Sequence, residues 1–202
     1  MLKRFLKCFN LKPTTSVSVT ERIYRWDAKR LNFSTLDIYG LSIFEQLPDE
    51  VLHGLRSLKK LSIVRCEKFK LSESFQYLTC LEKLIIQSCS KIEGLHEALQ
   101  HMIALQSLSL SDLPNLASLP NDLLGNLGLL QELEISNCPK LVCLPMSIQH
   151  LTSLKQLGIS DCSELGKRCK ENTGEDWHKI AHIQHIQVKN QSHEARVIFR
   201  AG

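Results

Sequence analysis

The 202-residue sequence predicts an α/β solenoid, in which short parallel β-strands stack on a concave face and irregular or short helical segments form the convex side. Three observations predict this fold. Of the 35 leucines, 32 lie in residues 31–165 and none follows Leu165. One nine-residue pattern recurs through that region at a nearly constant interval. Its core residues are two apart, the spacing that places side chains on one face of a strand.

Five copies of the pattern align without gaps, and a weaker copy precedes them. The five copies are 58–66, 81–89, 105–113, 130–138 and 154–162, and the weaker copy is 33–41. Their second core leucines, at positions 36, 61, 84, 108, 133 and 157, are separated by 25, 23, 24, 25 and 24 residues. This interval is typical of leucine-rich repeats. A stack of amphipathic helices is disfavoured, because Leu61 and Ile63 and their equivalents have the period of a strand.

Each copy predicts one strand followed by a return along the convex side. The strand directs its leucine and isoleucine into the coil, and a later apolar residue turns the chain back: Phe69, Ile92, Leu116, Leu141 or Leu165. Leu-Pro pairs follow at 47–48, 119–120 and 144–145. Proline has no N–H, so it suits a turn that pairs with no other strand. Stacking must supply the stability, since one repeat cannot bury its own leucines.

Cysteine occupies the last position of four copies, as Cys66, Cys89, Cys138 and Cys162. We expect a structural ladder of buried thiols, because a small side chain with a weak donor can meet the carbonyls at the end of a strand. A metal or redox centre is the alternative. Eight cysteines without a recognisable secretion signal favour reduced thiols in the cytoplasm.

Charge and pattern divide the chain into four segments. Residues 1–30 form a basic N-terminal segment or cap, 31–165 the repeats, 166–188 a C-terminal cap and 189–202 a tail. The net charge of +4 comes from the ends, because the repeats carry 10 basic and 15 acidic residues. An acidic centre repels phosphates, so nucleic acid is not an expected partner. No run of 18 apolar residues occurs, so no membrane span is expected.

No catalytic or cofactor-binding constellation is recognised. Gly166-Lys167 lacks the earlier glycine and the following Ser/Thr of a phosphate-binding loop. His96 and His101 are one residue too far apart for a zinc-protease helix. We therefore expect a protein that is not an enzyme and that needs no metal or cofactor.

The C-terminal segment predicts a structural cap made by Trp177, Ile180, Ile183 and Ile186. His178, His182 and His185 are spaced four and three apart, which would place them on one helical face, as metal ligands require. Isoleucines alternate with these histidines, and this pattern favours an apolar face seated on the end of the solenoid. The metal site is the weaker interpretation.

The outward side chains of the strands form the candidate binding surface. They are basic in the first full repeat, rich in serine in the middle and acidic at 132–137, and Val64 and Ile85 add a small apolar contact. Solenoids commonly bind through the concave face, so a protein-docking groove is favoured over a merely solvated surface. The candidate residues are Lys59, Lys60, Val64, Arg65, Lys83, Ile85, Gln87, Ser109, Asp112, Glu132, Glu134, Asn137, Lys155 and Asp161.

Two segments carry a family resemblance beyond the generic repeat. They are CPKLVCLPMSIQHLTSLKQLGISDCSEL at 138–165, and Arg168-Cys169 followed by GEDWHKIAHI at 174–183. Over residues 31–188 the chain resembles the C-terminal end of plant nucleotide-binding leucine-rich-repeat disease resistance proteins of the coiled-coil type. The resemblance implies that the tryptophan and isoleucines close the last repeat. It also implies intracellular plant immunity, in which the repeats recognise effectors or modified host proteins and restrain a nucleotide-binding switch domain.

Three hypotheses follow from the sequence. The leading one is a cytoplasmic recognition module of plant innate immunity that binds a pathogen effector, a guarded host protein or a switch domain. The second is the C-terminal part of an ATP-dependent immune receptor whose nucleotide-binding domain lies outside this chain, since no ATP site maps onto its residues. The third is a substrate adaptor in ubiquitin ligation.

Overall fold

In a computed structural model the described part of the chain forms one open sheet of nine strands that follow one another in sequence order. The structure describes residues 16–19, 34–41, 45–47, 49–95, 97–189 and 195–199. The strands are β1 (Ser16–Val19), β2 (Thr35–Tyr39), β3 (Lys60–Val64), β4 (Lys83–Gln87), β5 (Ser107–Ser111), β6 (Glu132–Ser136), β7 (Gln156–Ser160), β8 (His185–Lys189) and β9 (Ala195–Phe199). The first eight are parallel, and β9 is antiparallel to β8.

Short helices occupy the convex side, one after each of the strands β2 to β6. They are α1 (Asp49–Gly54), 3-10 helices at Glu73–Tyr77 and Glu97–His101, α2 (Asn121–Gly125) and a 3-10 helix at Met146–His150. Two further helices, α3 (Ser163–Arg168) and α4 (Trp177–Ile180), follow β7. The leucine-rich-repeat solenoid predicted from the period is therefore confirmed.

The core runs through the solenoid as stacked layers of aliphatic side chains. Leu61, Leu84 and Leu108 pair in register across β3, β4 and β5, and each is at most 1% exposed. The residues that turn the chain back, such as Phe69 and Leu141, are equally buried. Full burial of one such side chain stabilises the fold by about 1.5–3 kcal/mol. Each repeat gains this energy only from its neighbours, as the sequence period implied.

Three strands lie where the sequence pattern placed none. β1 falls within 1–30 and pairs with β2, β8 falls in the predicted cap, and β9 falls in the tail. The rest of 1–30, most of the tail, and the residues Pro48 and His96 lie outside the described residues. β8 forms because β7 would otherwise leave a row of backbone donors and acceptors without partners.

Candidate functional site

The outward side chains of β3 to β7 form three rows that cross the strands. The register fixes the rows: Lys60, Lys83, Ser107, Glu132 and Gln156; Ser62, Ile85, Ser109, Glu134 and Gly158; Val64, Gln87, Ser111, Ser136 and Ser160. Because β5 contributes serine to every row, a strip of short side chains runs along the middle of the surface. We call Ser107, Ser109 and Ser111, with the β4 and β6 side chains beside them, the serine trough.

The residue after each of the strands β2 to β7 has a left-handed backbone. Its φ lies between 47° and 55° at Arg65, Ser88, Asp112, Asn137 and Asp161, and the equivalent Gly40 has φ 70°. Its N–H donates to the last carbonyl of the next strand at 2.9–3.0 Å, which extends the ladder by one bond. Four of the predicted concave residues thus lie at a rim where the chain turns. Gly40, Asp112, Asn137 and Asp161 could have indicated this turn from the sequence, because glycine, asparagine and aspartate adopt a left-handed backbone more readily than other residues.

Asp112 is the centre of a polar cluster on that rim. Its carboxylate accepts hydrogen bonds from Asn137 Nδ2 at 2.9 Å, Gln87 Nε2 at 3.3 Å and Ser88 Oγ at 3.3 Å. The bonds from Asn137 and Gln87 lower the pKa of Asp112. This cluster ties the ends of β4, β5 and β6 together, so the serine trough has a rigid boundary on that side.

Much of the positive charge predicted for the first full repeat is neutralised within the fold. Lys59 Nζ lies 2.8 Å from Glu82 Oε1, and this bond raises the pKa of Lys59. Lys60 Nζ lies 3.7 Å from Asp37 Oδ1. The Arg65 guanidinium stands 5.4 Å from the centre of the Tyr39 ring. Within the described residues Lys83 has no ion pair, so it carries the positive charge beside the serine trough.

The opposite wall of the serine trough is acidic. Glu132 and Glu134 project from β6 and are exposed, and neither has an ion pair within the described residues. The carboxylate of Glu134 lies where a Cβ atom on Gly158 would be. The missing side chain of Gly158 therefore lets Glu134 lean toward β7 and away from Ser109.

The remaining candidate residues are distributed around this centre. Val64 and Ile85 are half-buried and lie diagonally on β3 and β4, because Val64 pairs with Gln87 and Ser62 pairs with Ile85. Lys155 is exposed and precedes β7. The structure thus brings Lys83, Ile85, Gln87, Ser109, Glu132 and Glu134 together, and it places the others around them.

The four repeated cysteines are fully buried at the ends of their strands. Cys89 Sγ donates to Gln87 O at 3.3 Å, and Cys162 Sγ makes the equivalent bond to Ser160 O at 3.3 Å. Burial raises the pKa of Cys89 to about 11. The hydrogen bond with Cys162, together with burial, raises the pKa of Cys138. Cys66, Cys89 and Cys138 therefore remain protonated at neutral pH and are poor nucleophiles, whereas the hydrogen bond with Cys138 lowers the pKa of Cys162.

The C-terminal segment covers the last repeat, but not as one helix. Trp177 is 8% exposed, and Ile180, Ile183 and Ile186 are fully buried. α4 ends at Ile180, whereas Ile186 lies in β8 and pairs with Leu157. His178 is therefore on a helix and His185 on a strand, with His182 in the turn between them. The shared helical face that the spacing suggested for the three histidines does not form.

A buried ionic cluster anchors this cap, and no sequence pattern indicated it. The carboxylate of Asp176 accepts hydrogen bonds from Arg168 Nη2 at 2.9 Å, Lys179 Nζ at 2.9 Å and Leu144 N at 2.8 Å. Lys179 Nζ also donates to Leu144 O at 2.6 Å. Burial opposes ionisation of Asp176, but the bonds from Arg168 and Lys179 outweigh it and lower the pKa. Asp176, Lys179 and Arg168 together are named the cap latch.

The repeats match a known family over most of the described chain. The model for the leucine-rich repeats of plant disease resistance proteins of the RPS2-like type matches residues 30–163. The chain belongs to this family. Membership in the plant resistance-protein repeats confirms the resemblance stated from the sequence, and it covers β2 to β7 of the structure.

Solved structures share the fold of these plant resistance-protein repeats. The leucine-rich repeat domain of the type III effector XopL is 29% identical, with a TM-score of 0.60, and the match covers 70% of this chain and 49% of that one. The plant peptide hormone receptor RGFR1, solved in complex with RGF2, is 19% identical with a TM-score of 0.53, covering 79% and 24%. This chain thus spans about half of the first structure and about a quarter of the second.

No curated protein matches the sequence significantly. Among the helices of the described residues, none has both the length and the apolar character needed to cross a membrane. Family membership and the shared fold make the chain a leucine-rich repeat protein-interaction module of the plant resistance-protein type.

Proposed function

We propose that this chain is a non-enzymatic recognition module of plant defence, and that it binds a protein partner across the serine trough. The partner classes are a pathogen effector, a guarded host protein or a nucleotide-binding switch domain. The proposal rests on the outward side chains of β5, which are three serines between walls of opposite charge. Hydroxyls that can donate and accept, next to unpaired charges, suit the polar surface of another protein.

Family membership supports a role in plant immunity, and the free thiols support a cytoplasmic location. Resistance-protein repeats belong to plant immunity. The seven described cysteines are free, and four of them are the buried pattern cysteines. Free thiols persist in a reducing compartment, which supports a cytoplasmic location.

A pair of matched serine substitutions tests the binding surface. Ser109 lies in the serine trough, whereas Ser118 is exposed on the convex side. A photo-crosslinking residue at position 109, but not at position 118, should capture the partner in plant tissue. With the captured protein purified, Ser109→Trp should weaken binding about tenfold or more, because the indole fills the centre of the surface. Ser118→Trp should leave the affinity unchanged.

Two results would contradict the proposal. One is equal crosslinking from positions 109 and 118. The other is an unaltered dissociation constant for Ser109→Trp, with the fold of the variant verified by circular dichroism. Either result would show that the partner approaches another face.

A further inference from the structure

The serine trough has the width of an extended polypeptide. β4 and β6 are two strand spacings apart, which is about 10 Å between their backbones. Side chains from both walls narrow this space, whereas an α-helix with its side chains is about 10–12 Å across. A helix is therefore too wide to reach Ser107, Ser109 and Ser111, but a single extended strand can lie along them.

The two walls differ in chemistry at the Ser107 and Ser109 levels of the serine trough. Lys83 faces Glu132 across Ser107, and Ile85 faces Glu134 across Ser109. Lys83, Glu132 and Glu134 have no ion pair within the described residues, in contrast to Lys59 and Lys60. One wall thus offers a cation and an apolar side chain, and the other offers two anions.

The lean of Glu134 keeps the serine trough open. Its carboxylate occupies the space above Gly158, which has no side chain to exclude it. Ser109 is consequently reachable between Ile85 and Glu134. A larger residue at position 158 would push the carboxylate back over the serine.

We propose that the serine trough binds an extended segment of a partner protein whose side chains alternate between two chemistries. This inference rests on the proposed function and specifies its partner. An extended chain directs successive side chains to opposite sides, and its repeat of two residues matches that of β5. The side of the partner segment that faces β4 carries an acidic and then an apolar side chain, which meet Lys83 and Ile85. The side facing β6 is basic at both positions, to meet Glu132 and Glu134. The recognised core therefore reads acidic, basic, apolar, basic.

Two peptides of identical composition provide the test. The matching peptide has the core Asp-Lys-Leu-Arg between Gly-Ser flanks, and the control has Lys-Asp-Arg-Leu, which has the same composition but removes all three ion pairs. Binding to the 202-residue chain is measured by fluorescence anisotropy at low ionic strength. The matching peptide should bind about tenfold more tightly, as expected when two or three partly exposed ion pairs add their contributions. Added salt should remove most of the difference.

Charge reversal supplies the matched protein variants. Lys83→Glu alone and Glu132→Lys with Glu134→Lys should each weaken binding of the matching peptide about tenfold. Combining all three substitutions should create a site for the inverted core, Lys-Asp-Leu-Glu. Lys91→Glu is the control and should leave the affinity unchanged, because Lys91 is exposed in the turn after β4 and lies outside the serine trough.

The outcomes separate this inference from the proposed function. Equal affinity of the two isomeric peptides, no binding at millimolar concentration, or failure of the triple reversal to prefer the inverted core would overturn the alternating partner. The proposed function would still stand if Ser109→Trp blocked the crosslinked partner. If Ser109→Trp had no effect on that partner, the proposed function would fail, and this inference would fail with it.

Discussion

Replacing Asp176 by alanine should destabilise the solenoid more than any surface substitution in the cap. The Asp176 side chain is 1% exposed, and that of Lys179 is 10% exposed. In the variant the Lys179 ammonium keeps only Leu144 O as a partner, and Leu144 N loses its acceptor. Breaking a buried ion pair costs about 3–5 kcal/mol, because the remaining charge is left without compensation. We therefore expect the free energy of unfolding to fall by about 4 kcal/mol.

Urea denaturation followed by far-ultraviolet circular dichroism measures this loss. Glu175→Gln is the matched control, because Glu175 also binds Arg168 but its side chain is 75% exposed. It should leave stability nearly unchanged. Adding Lys179→Met to Asp176→Ala should restore part of the loss, since the uncompensated buried cation is then removed.

The result that would refute this reasoning is quantitative. A loss below about 1 kcal/mol for Asp176→Ala, the size of an exposed ion pair, would show that the cap latch is effectively solvated. The absence of any recovery in the double variant would show that the cost does not come from the stranded charge of Lys179. Hydrogen exchange at the Ile186 amide distinguishes local opening of the cap from global unfolding.

Three further predictions follow from the same structure. Folding lowers the pKa of Asp176, so the stabilisation from its ionised carboxylate is complete above the pKa of the unfolded state and is lost as the pH falls through the pKa of the folded state. The difference in unfolding free energy between the native chain and Asp176→Asn should therefore be constant above about pH 5 and shrink below about pH 4. Urea titrations at several pH values measure this difference. Gly174→Ala should lower the free energy of unfolding by about 1–3 kcal/mol in thermal melts, because its Cβ atom would collide with Arg168 O. Gly128→Ala is the control, because its Cβ atom would meet open space. An equal loss of stability in both variants would contradict the argument. Cys138→Ala should lower the free energy of unfolding in urea by about 1–2 kcal/mol, because Cys138 is fully buried. Cys143 is exposed and should tolerate alanine. Similar urea midpoints for the two variants would argue against a packed ladder of buried cysteines.

The repeated core was readable from the sequence because the covalent geometry of a strand determines it. Side chains two residues apart share a face in any strand, so Leu61 and Ile63 identify both the strand and its inward side. The interval of 23 to 25 residues then gives the order of the strands and their parallel pairing. No contact between distant residues is needed for these conclusions.

The ion pairs of individual side chains could not be predicted from the sequence, because they depend on which residues the register of the strands brings together. Lys59 and Lys83 look alike in the sequence, but one is bonded to Glu82 and the other faces the serine trough. β8 lacks the leucine pattern and forms because β7 offers it an open edge.

The sequence alone determined the solenoid, its six leucine-patterned repeats, their inward residues and the family, since each follows from local periodicity or from matching residues. Only the tertiary structure decided which individual charges are paired. It placed Asp176 against Leu144, 32 residues away, and it left Lys83, Glu132 and Glu134 beside three serines without an ion pair to any other described residue. The physical reason is that ion pairing and desolvation act over a few ångströms in space, and stacking of the repeats sets those distances.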